Sequence, residues 1–529
     1  MDENFNLPLI GEKRNALVIS DTDSSRLQDA LRIFQGNSFI VSDSSIAVRY
    51  TLDNMQVLRN MGYKPSDTPS PILAKYEWPG MYKPMRHQKV MAEFLTMHKR
   101  CYNFSDMGVG KTAASIWASH FLLLNKKINR VLILCPLSVV KDAWLNDLSR
   151  LLMGVHVEAA LGTKDKKLKA INSAAKYVIL NYDSVVGLKK DLQKGGFDLI
   201  ICDEATYLKN DSAYRTKAVR LLVQPNTWVW MITGTPIAQS PMDAYGMAKI
   251  CRPETVPKAM TQFKSEIMNK VSALRWEPKP EAVTVVKNIL QPAVRFRKEN
   301  CLDLPEKTYT FMEVEMTKEQ NHYYEKLRKE QYLNLASGEV TAVNAGVLLT
   351  KLLQISSGAV YNTDGEFIEF DSKSRLDTMV EVIRGSSHKT LVFATFKHSV
   401  PVISKRLDEE HITYKTIGGS TPGGKRAEII QEFQNSKYPE VLVIQPRAAS
   451  HGITLHAANT VIWYSPCLSA ETYLQANDRV HRKGQKNPCT IVHIIGSTAE
   501  RKVYRTLRAN VDTQNDLLSL YKEVLEDGL

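Results

Sequence analysis

"CYNFSDMGVGKTAASIWASHFLLL", residues 101–124, decides how the rest of the chain is read. It opens with the β-rich run "CYNFSD", ends in an apolar helical pattern, and holds "DMGVGKT", Asp106 to Thr112, between them. A phosphate chain needs backbone N–H groups turned towards it, and Gly108 and Gly110 permit that close approach at a helix N-terminus. Asp106, Met107, Gly108, Val109, Gly110, Lys111 and Thr112 are therefore the candidate nucleotide-binding residues. Lys111 supplies positive charge to the β- and γ-phosphates of ATP, and Thr112 a hydroxyl for Mg²⁺. Ser105 stands where a strict P-loop has its first glycine, so a glycine-rich turn with an incidental lysine competes. The strand–loop–helix order favours the P-loop.

Downstream, "FDLIICDEAT" ends a buried strand with Asp203 and Glu204, where open α/β sheets expose their ligand crevice. Asp203 is suited to hold hydrated Mg²⁺ and Glu204 to polarise the attacking water. An ordinary acidic turn would look the same in isolation; the P-loop earlier on the same expected sheet decides against it. A third element, "QANDRVHRKGQ", spans Gln475 to Gln485. Gln475, Arg479 and Arg482 are spaced by four and three, which predicts one helical face. Two guanidiniums there suit the charge that develops on the γ-phosphate during hydrolysis, so both arginines join Lys111, Asp203 and Glu204 as catalytic candidates. A solvated basic helix is the plain alternative. Because Arg482 lies so far along the chain from Lys111, ATP is expected to join two lobes and to convert hydrolysis into their opening and closing.

The runs "CYNFSD", "RVLILCP", "YVILNYD", "FDLIICDE" and "TWVWMITGT" alternate with helical patterns, as do "KTLVFATF", "TYKTIGG", "EVLVIQP", "TVIWYSP" and "TIVHIIG". Near-continuous apolar runs of this length indicate parallel sheets covered on both faces. The expected fold class is α/β: two parallel-sheet lobes with helical insertions and a small N-terminal α+β segment. The expected divisions are residues 1–80 as an accessory segment and 84–250 as the ATP-binding lobe. Residues 251–380 form a helical insertion with "KEQNHYYEKLRKEQYLNLASG" and "NAGVLLTKLLQISSG", and 381–529 the second lobe with a C-terminal helix. Within 1–80, "NALVISD" and "SFIVSDSSIAVRY" read as strands, and "SSRLQDALRIF" and "LDNMQVLRNMG" as amphipathic helices. "YKPSDTPSPILAKYEWPGMYKP", with five prolines, reads as a linker.

Composition sets outer limits. The 529 residues allow three or four domains at roughly 100–200 residues each. A hydrophobic content of 43% with 24% charged residues is ordinary for a globular chain. The longest apolar runs fall short of the ~20 residues needed to cross a bilayer, so no membrane partner is expected. "MDENFNLPLIGEKR" lacks a basic start followed by an apolar stretch, and the expected location is cytoplasmic, the host cytoplasm for a viral protein. Seven scattered cysteines form no metal-spaced cluster, which leaves buried thiols and no zinc site as the expectation. A net charge of +13 permits an anionic partner without naming one.

The ordered set of motifs resembles superfamily-2 helicases, and more narrowly the SWI/SNF-type translocases of double-stranded DNA. "KPMRHQ" resembles the adenine-reading segment of that family, with Gln88 at the position whose amide pairs with the base edge. "LILCPLSVVKDAW" and "VILNYDSV" resemble its DNA-tracking motifs, "DEATYLKN" its DEAH-type box, and "TGTPI" the segment linking ATP state to DNA grip. "ILQPAVRFRKENCLDLPEKTY" followed by "MTKEQNHYYEKL" is the most family-specific stretch. "LVFATF", "IGGSTPGGKR", "ASHGITLHAAN" and "QANDRVHRKGQ" complete the second lobe. The resemblance covers about residues 80–505 and implies RecA-like lobes. It departs at Ala449 and Ser450, in place of a glycine pair, at Thr454 for an asparagine, and at Leu468, Ser469 and Ala470 for Trp-Asn-Pro. "MQVLRNMGYKPSD" resembles the accessory segment of annealing-helicase relatives, with a small packing domain as the alternative.

The function implied is ATP-driven movement on double-stranded or forked DNA, in fork remodelling, annealing or protein displacement. ATP and Mg²⁺ would be cofactors; other replication, repair or recombination proteins would be partners. With no reader domain evident, a compact prokaryotic or viral member is expected rather than a chromatin remodeller. Two alternatives stay open: a strand-separating DNA or RNA helicase, and a non-hydrolysing DNA-binding scaffold. Phosphate contacts are expected from loops of both lobes and from Arg295, Arg297 and Lys298.

Overall fold

The computed structural model describes residues 16–20, 24–36, 38–62, 70–236, 240–271, 276–336, 342–361, 367–449, 453–509 and 524. The amino-terminal strands β1 (Ala16–Ser20), β2 (Ser38–Ser42) and β3 (Ser45–Arg49) form an antiparallel sheet in the order β1-β3-β2. "SFIVSDSSIAVRY", read as one strand, is a hairpin, because the polar Asp43 and Ser44 turn the chain. The two amphipathic patterns are helices Ser24–Ile33 and Leu52–Asn60, the second N-capped by Thr51, whose side chain accepts the Asn54 N–H. Arg59 pairs with Glu93 at 2.6 Å, and Gln56 Nε2 donates to the Thr96 carbonyl at 3.0 Å, tying this segment to the helix Arg86–Met97. The proline-rich stretch includes a short helix, Pro71–Lys75, with the proline in its first turn where its missing N–H costs nothing. Residues 63–69 of that stretch lie outside the described residues.

The first lobe is built on β4 (Arg100–Asn103), β5 (Val131–Cys135), β6 (Val157–Ala159), β7 (Tyr177–Asn181), β8 (Leu199–Asp203) and β9 (Trp228–Ile232). A hairpin of β10 (Met268–Lys270) and β11 (Trp276–Pro278) stands apart, and β12 (Ala293–Val294) returns to the main sheet. The order is β12-β4-β9-β8-β5-β7-β6, and every pairing is parallel. "VLILC", "YVILN" and "WVWMI" are buried at all five positions, as expected of strands with helices on both faces. Each Val, Leu, Ile and Met among them contributes ~1.5–3 kcal/mol on burial.

The second lobe contains β13 (Lys307–Glu313), a small hairpin of β14 (Ala359–Tyr361) and β15 (Phe367–Glu369), then β16 (Lys389–Phe393), β17 (Tyr414–Ile417), β18 (Val441–Ile444), β19 (Ala458–Trp463) and β20 (Cys489–Ile495). Its six-stranded sheet runs β13-β20-β19-β16-β18-β17, again wholly parallel. The helix Thr498–Arg508 lays Ala499, Val503, Tyr504 and Leu507 against this core. Under it, Arg375 and Glu500 form a buried ion pair at 2.6 Å, whose carboxylate also accepts the Gly496 N–H at 2.7 Å.

Compact units divide the chain at Met1–Pro236 with Ala244–Arg297, and Ile237–Asp243 with Lys298–Leu529. The stretch 251–380 holds the helices Lys318–Ala336 and Ala342–Ser356, and it also supplies one edge strand to each large sheet, β12 and β13.

Candidate nucleotide site and arginine turn

β4 delivers the chain into the loop 104–110, and the helix Lys111–Leu124 leaves it. Gly108 and Gly110 adopt φ of 80° and 87°, the left-handed region that a side chain disfavours. A Cβ at Gly110 would also lie 2.0 Å from Gln88 Nε2. The loop is held along its length by the segment after β12. Phe104 and Asp106 donate their N–H groups to the carbonyls of Val294 and Phe296, both at 2.9 Å. Phe296 N–H in turn donates to Ser105 Oγ at 3.0 Å. That bond gives Ser105 a physical role where the strict motif has glycine: its hydroxyl ties the loop to the neighbouring strand. Lys111 Nζ donates to the carbonyls of Ser105 at 2.8 Å and Asp106 at 3.0 Å, so its charge lies against the loop.

Gln88 caps its helix by accepting the Met85 N–H at 2.9 Å, and its Nε2 donates to the Val109 carbonyl at 3.4 Å. His87 Nε2 donates to the same carbonyl at 2.8 Å. Gln88 is thus brought to the loop, alongside a histidine that sequence spacing did not single out.

Asp203 and Glu204 follow β8. Trp144 Nε1 donates to Asp203 Oδ2 at 2.7 Å, the Glu204 N–H donates to Asp203 Oδ1 at 3.1 Å, and Tyr182 OH donates to the Asp203 carbonyl at 2.7 Å. Burial first, and then the neighbouring Glu204 charge, push the Asp203 carboxyl up to about 6; the Trp144 bond and the Lys111 charge oppose them. Lys111 therefore acts electrostatically on Asp203, which joins the loop and the strand end in one site. Glu204 sits at φ 51°, ψ 56°, a strained backbone for a non-glycine residue that re-aims the chain directly after the strand. Its Oε2 lies 3.5 Å from Thr233 Oγ1, of "TGTPI", and Thr233 Oγ1 accepts the Thr235 N–H at 3.2 Å. Ile237 of that motif lies outside the described residues. Thr112 stands in the first turn of the loop's helix; its hydroxyl and the Asp203 carboxylate are hard oxygen donors of the kind Mg²⁺ takes.

In the second lobe the arginines are not on a helix. Ser469 caps the helix Ala470–Asn477 by accepting the Thr472 N–H at 3.2 Å, and that helix ends before Arg479. Asp478 to Gly484 form successive turns because buried Val480 is drawn into the core and Gly484 takes φ 103°. The guanidiniums still converge: Arg479 and Arg482 both donate to the Ile453 carbonyl, at 3.3 and 3.0 Å. Gln475 stays on the helix, with Nε2 on Glu471 Oε1 at 3.0 Å, and its carbonyl accepts Arg479 Nε at 3.1 Å. Ser450, one of the departures noted in the sequence, lies outside the described residues.

Arg295 and Arg297 are exposed, but Lys298 is buried and paired with Asp478 at 2.8 Å. Its assignment as a phosphate contact is corrected on that ground.

Two all-parallel sheets in one chain, the first carrying a phosphate-type loop and the second paired arginines, define a helicase-type ATPase. The SNF2-related domain model matches residues 86–357, over half the chain, and the helicase conserved C-terminal domain matches 374–484. The chain belongs to the SNF2-related family of ATP-dependent helicase-type enzymes. It is 25% identical over 471 residues to protein p41 of Acyrthosiphon pisum secondary endosymbiont phage 1, covering 83% of this chain and 98% of that one. It is also 25% identical over 427 residues to the chromodomain-helicase-DNA-binding protein 1-like of Danio rerio, covering 76% of this chain but 40% of that protein. With the ATP-dependent helicase MG018 of Mycoplasma genitalium it shares 24% identity, over 80% of this chain and 40% of the helicase. Among solved structures, it is similar to the Sulfolobus solfataricus SWI2/SNF2 ATPase core in complex with dsDNA, at 22% identity and a TM-score of 0.41, covering 85% of this chain and 99% of that one.

Proposed function

We propose that the protein couples ATP hydrolysis to movement on double-stranded or forked DNA. In this reading Gln88 meets the adenine and the loop Asp106–Thr112 cradles the phosphates, with Lys111 on the β- and γ-phosphates. Thr112 and Asp203 would hold Mg²⁺, which supplies charge neutralisation when bound. Glu204 orients and polarises the attacking water, and Arg479 and Arg482 stabilise charge on the γ-phosphate as it transfers. The observation that carries the reading is the assembly around Asp203. The Asp203 carboxylate is held by Trp144, raised by burial and then by Glu204, and drawn back by Lys111, so three chemistry-bearing groups act on one another.

Duplex DNA is the favoured track because of the family-specific stretch around Arg295–Lys307 and the absence from the sequence of an aromatic-rich platform for unpaired bases. Exposed Arg295 and Arg297 suit phosphate contacts, which carry no sequence information. Replication, repair or recombination proteins are the proposed partners. The test is the ATPase rate measured side by side with no nucleic acid, single strands, duplex, forks and RNA. Duplex and forks are expected to stimulate most, with affinity falling steeply with salt as phosphate contacts require. Equal stimulation by RNA or single strands would favour the strand-separating alternative.

A further inference from the structure

Lys298 opens the carboxy-terminal body of the chain: residues up to Arg297 group with the first unit and those from Lys298 with the second. Within the second unit the residue is 8% exposed, and its ammonium donates to Asp478 Oδ1 at 2.8 Å and to the His481 carbonyl. A lysine is rarely buried without such partners, because its charge must be matched inside the protein. Both partners belong to the turn that holds Arg479 and Arg482. The same incoming segment makes a second attachment there, since His481 Nε2 donates to the Pro305 carbonyl at 2.8 Å. The turn is therefore gripped on one side by residues 298–305 and on the other by the Ile453 carbonyl, which both guanidiniums share. Charges of Lys307 and Arg482 act on Lys298 as well, so the ammonium and the arginine are within electrostatic reach of each other.

We infer that Lys298 is a positioning residue for ATP hydrolysis: acting through Asp478 and the His481 carbonyl, it fixes the turn that aims Arg479 and Arg482. It lies at the last passage of the chain from one unit to the other, so a pull on that passage reaches the arginine turn through a buried ion pair. A surface lysine could not transmit such a displacement, because a solvated ion pair breaks and reforms at little cost. The inference rests on the proposed role of the arginines, and the experiment separates the two.

In the full chain, Lys298→Met, Arg482→Ala and the double variant are compared for ATP turnover with duplex DNA, KM for ATP and nucleotide-free DNA affinity. Misaiming a catalytic group by about an ångström costs on the order of 10²-fold. Lys298→Met is therefore expected to lower kcat ten- to a hundred-fold, on the order set by that misplacement, with KM and DNA affinity unchanged. In the Arg482→Ala background the same substitution should lower kcat hardly further, because Arg479 and Arg482 share one anchor and act on one phosphate as a unit, so losing either removes most of what the aimed turn contributes. Losses that multiply in the double variant would overturn the inference, as would weakened DNA binding with kcat intact. Arg482→Ala turning over at the wild-type rate would overturn the role of the arginines themselves. Asp478→Asn, which keeps the shape of the aspartate and removes its charge, carries the same cycle if Lys298→Met fails to fold.

Discussion

Lys111→Ala is expected to lower ATP turnover by at least ~10²–10³-fold, the range for removing one donor from a site of developing charge. Two effects add. The ammonium that meets the β- and γ-phosphates is lost, and so is the positive charge that draws the Asp203 carboxyl down against burial and Glu204. The fold should survive. Lys111 is half-buried at a loop, and its two bonds to the carbonyls of Ser105 and Asp106 are worth about 1.5–3 kcal/mol each as charge-assisted bonds. Turnover in steady-state assays, with a melting curve for the same preparation, checks both halves. A variant that hydrolysed ATP normally would remove the loop from the mechanism.

Glu204→Gln should separate binding from hydrolysis. The amide keeps the shape of the carboxylate and pays the same backbone strain at φ 51°, so the turn after β8 is preserved. What changes is charge. Burial and, after it, the Glu204 charge raise the Asp203 carboxyl, and removing that charge lets Asp203 ionise more readily, which favours the cation-bound state. Nucleotide affinity is expected to hold or rise while turnover falls ~10²-fold or more, the scale of general-base catalysis. Direct ATP binding and single-turnover hydrolysis measure the two separately; wild-type hydrolysis would rule out Glu204 as the group that activates water.

The legible parts of this protein are those where one residue's surroundings follow from its own segment. β5, β7, β8 and β9 were readable because both faces are covered, which forces continuous apolar runs. β6, β12 and β13 were not, because edge strands face solvent on one side: the residues of β13, "KTYTFME", alternate in burial and carry few apolar side chains. Lys111, Asp203 and Glu204 announce themselves by chemistry at strand ends. Trp144, His87 and Lys298 do not, since each matters through a partner remote in sequence. The four-and-three spacing of Gln475, Arg479 and Arg482 fits a helix, but it fits equally well a helix end followed by turns pinned to Ile453. Spacing alone cannot choose between those, because a tertiary hydrogen bond decides it.

Movement along an unopened duplex is the central claim, and displacement of a third strand tests it most directly. A motor tracking the helix strips the third strand from a triplex without separating the duplex beneath it. The expected result is ATP-dependent release of the third strand, abolished by Lys111→Ala, with no unwinding of a tailed duplex under the same conditions. Retention of the third strand together with efficient unwinding of the tailed duplex would contradict the claim and make the protein a strand-separating helicase.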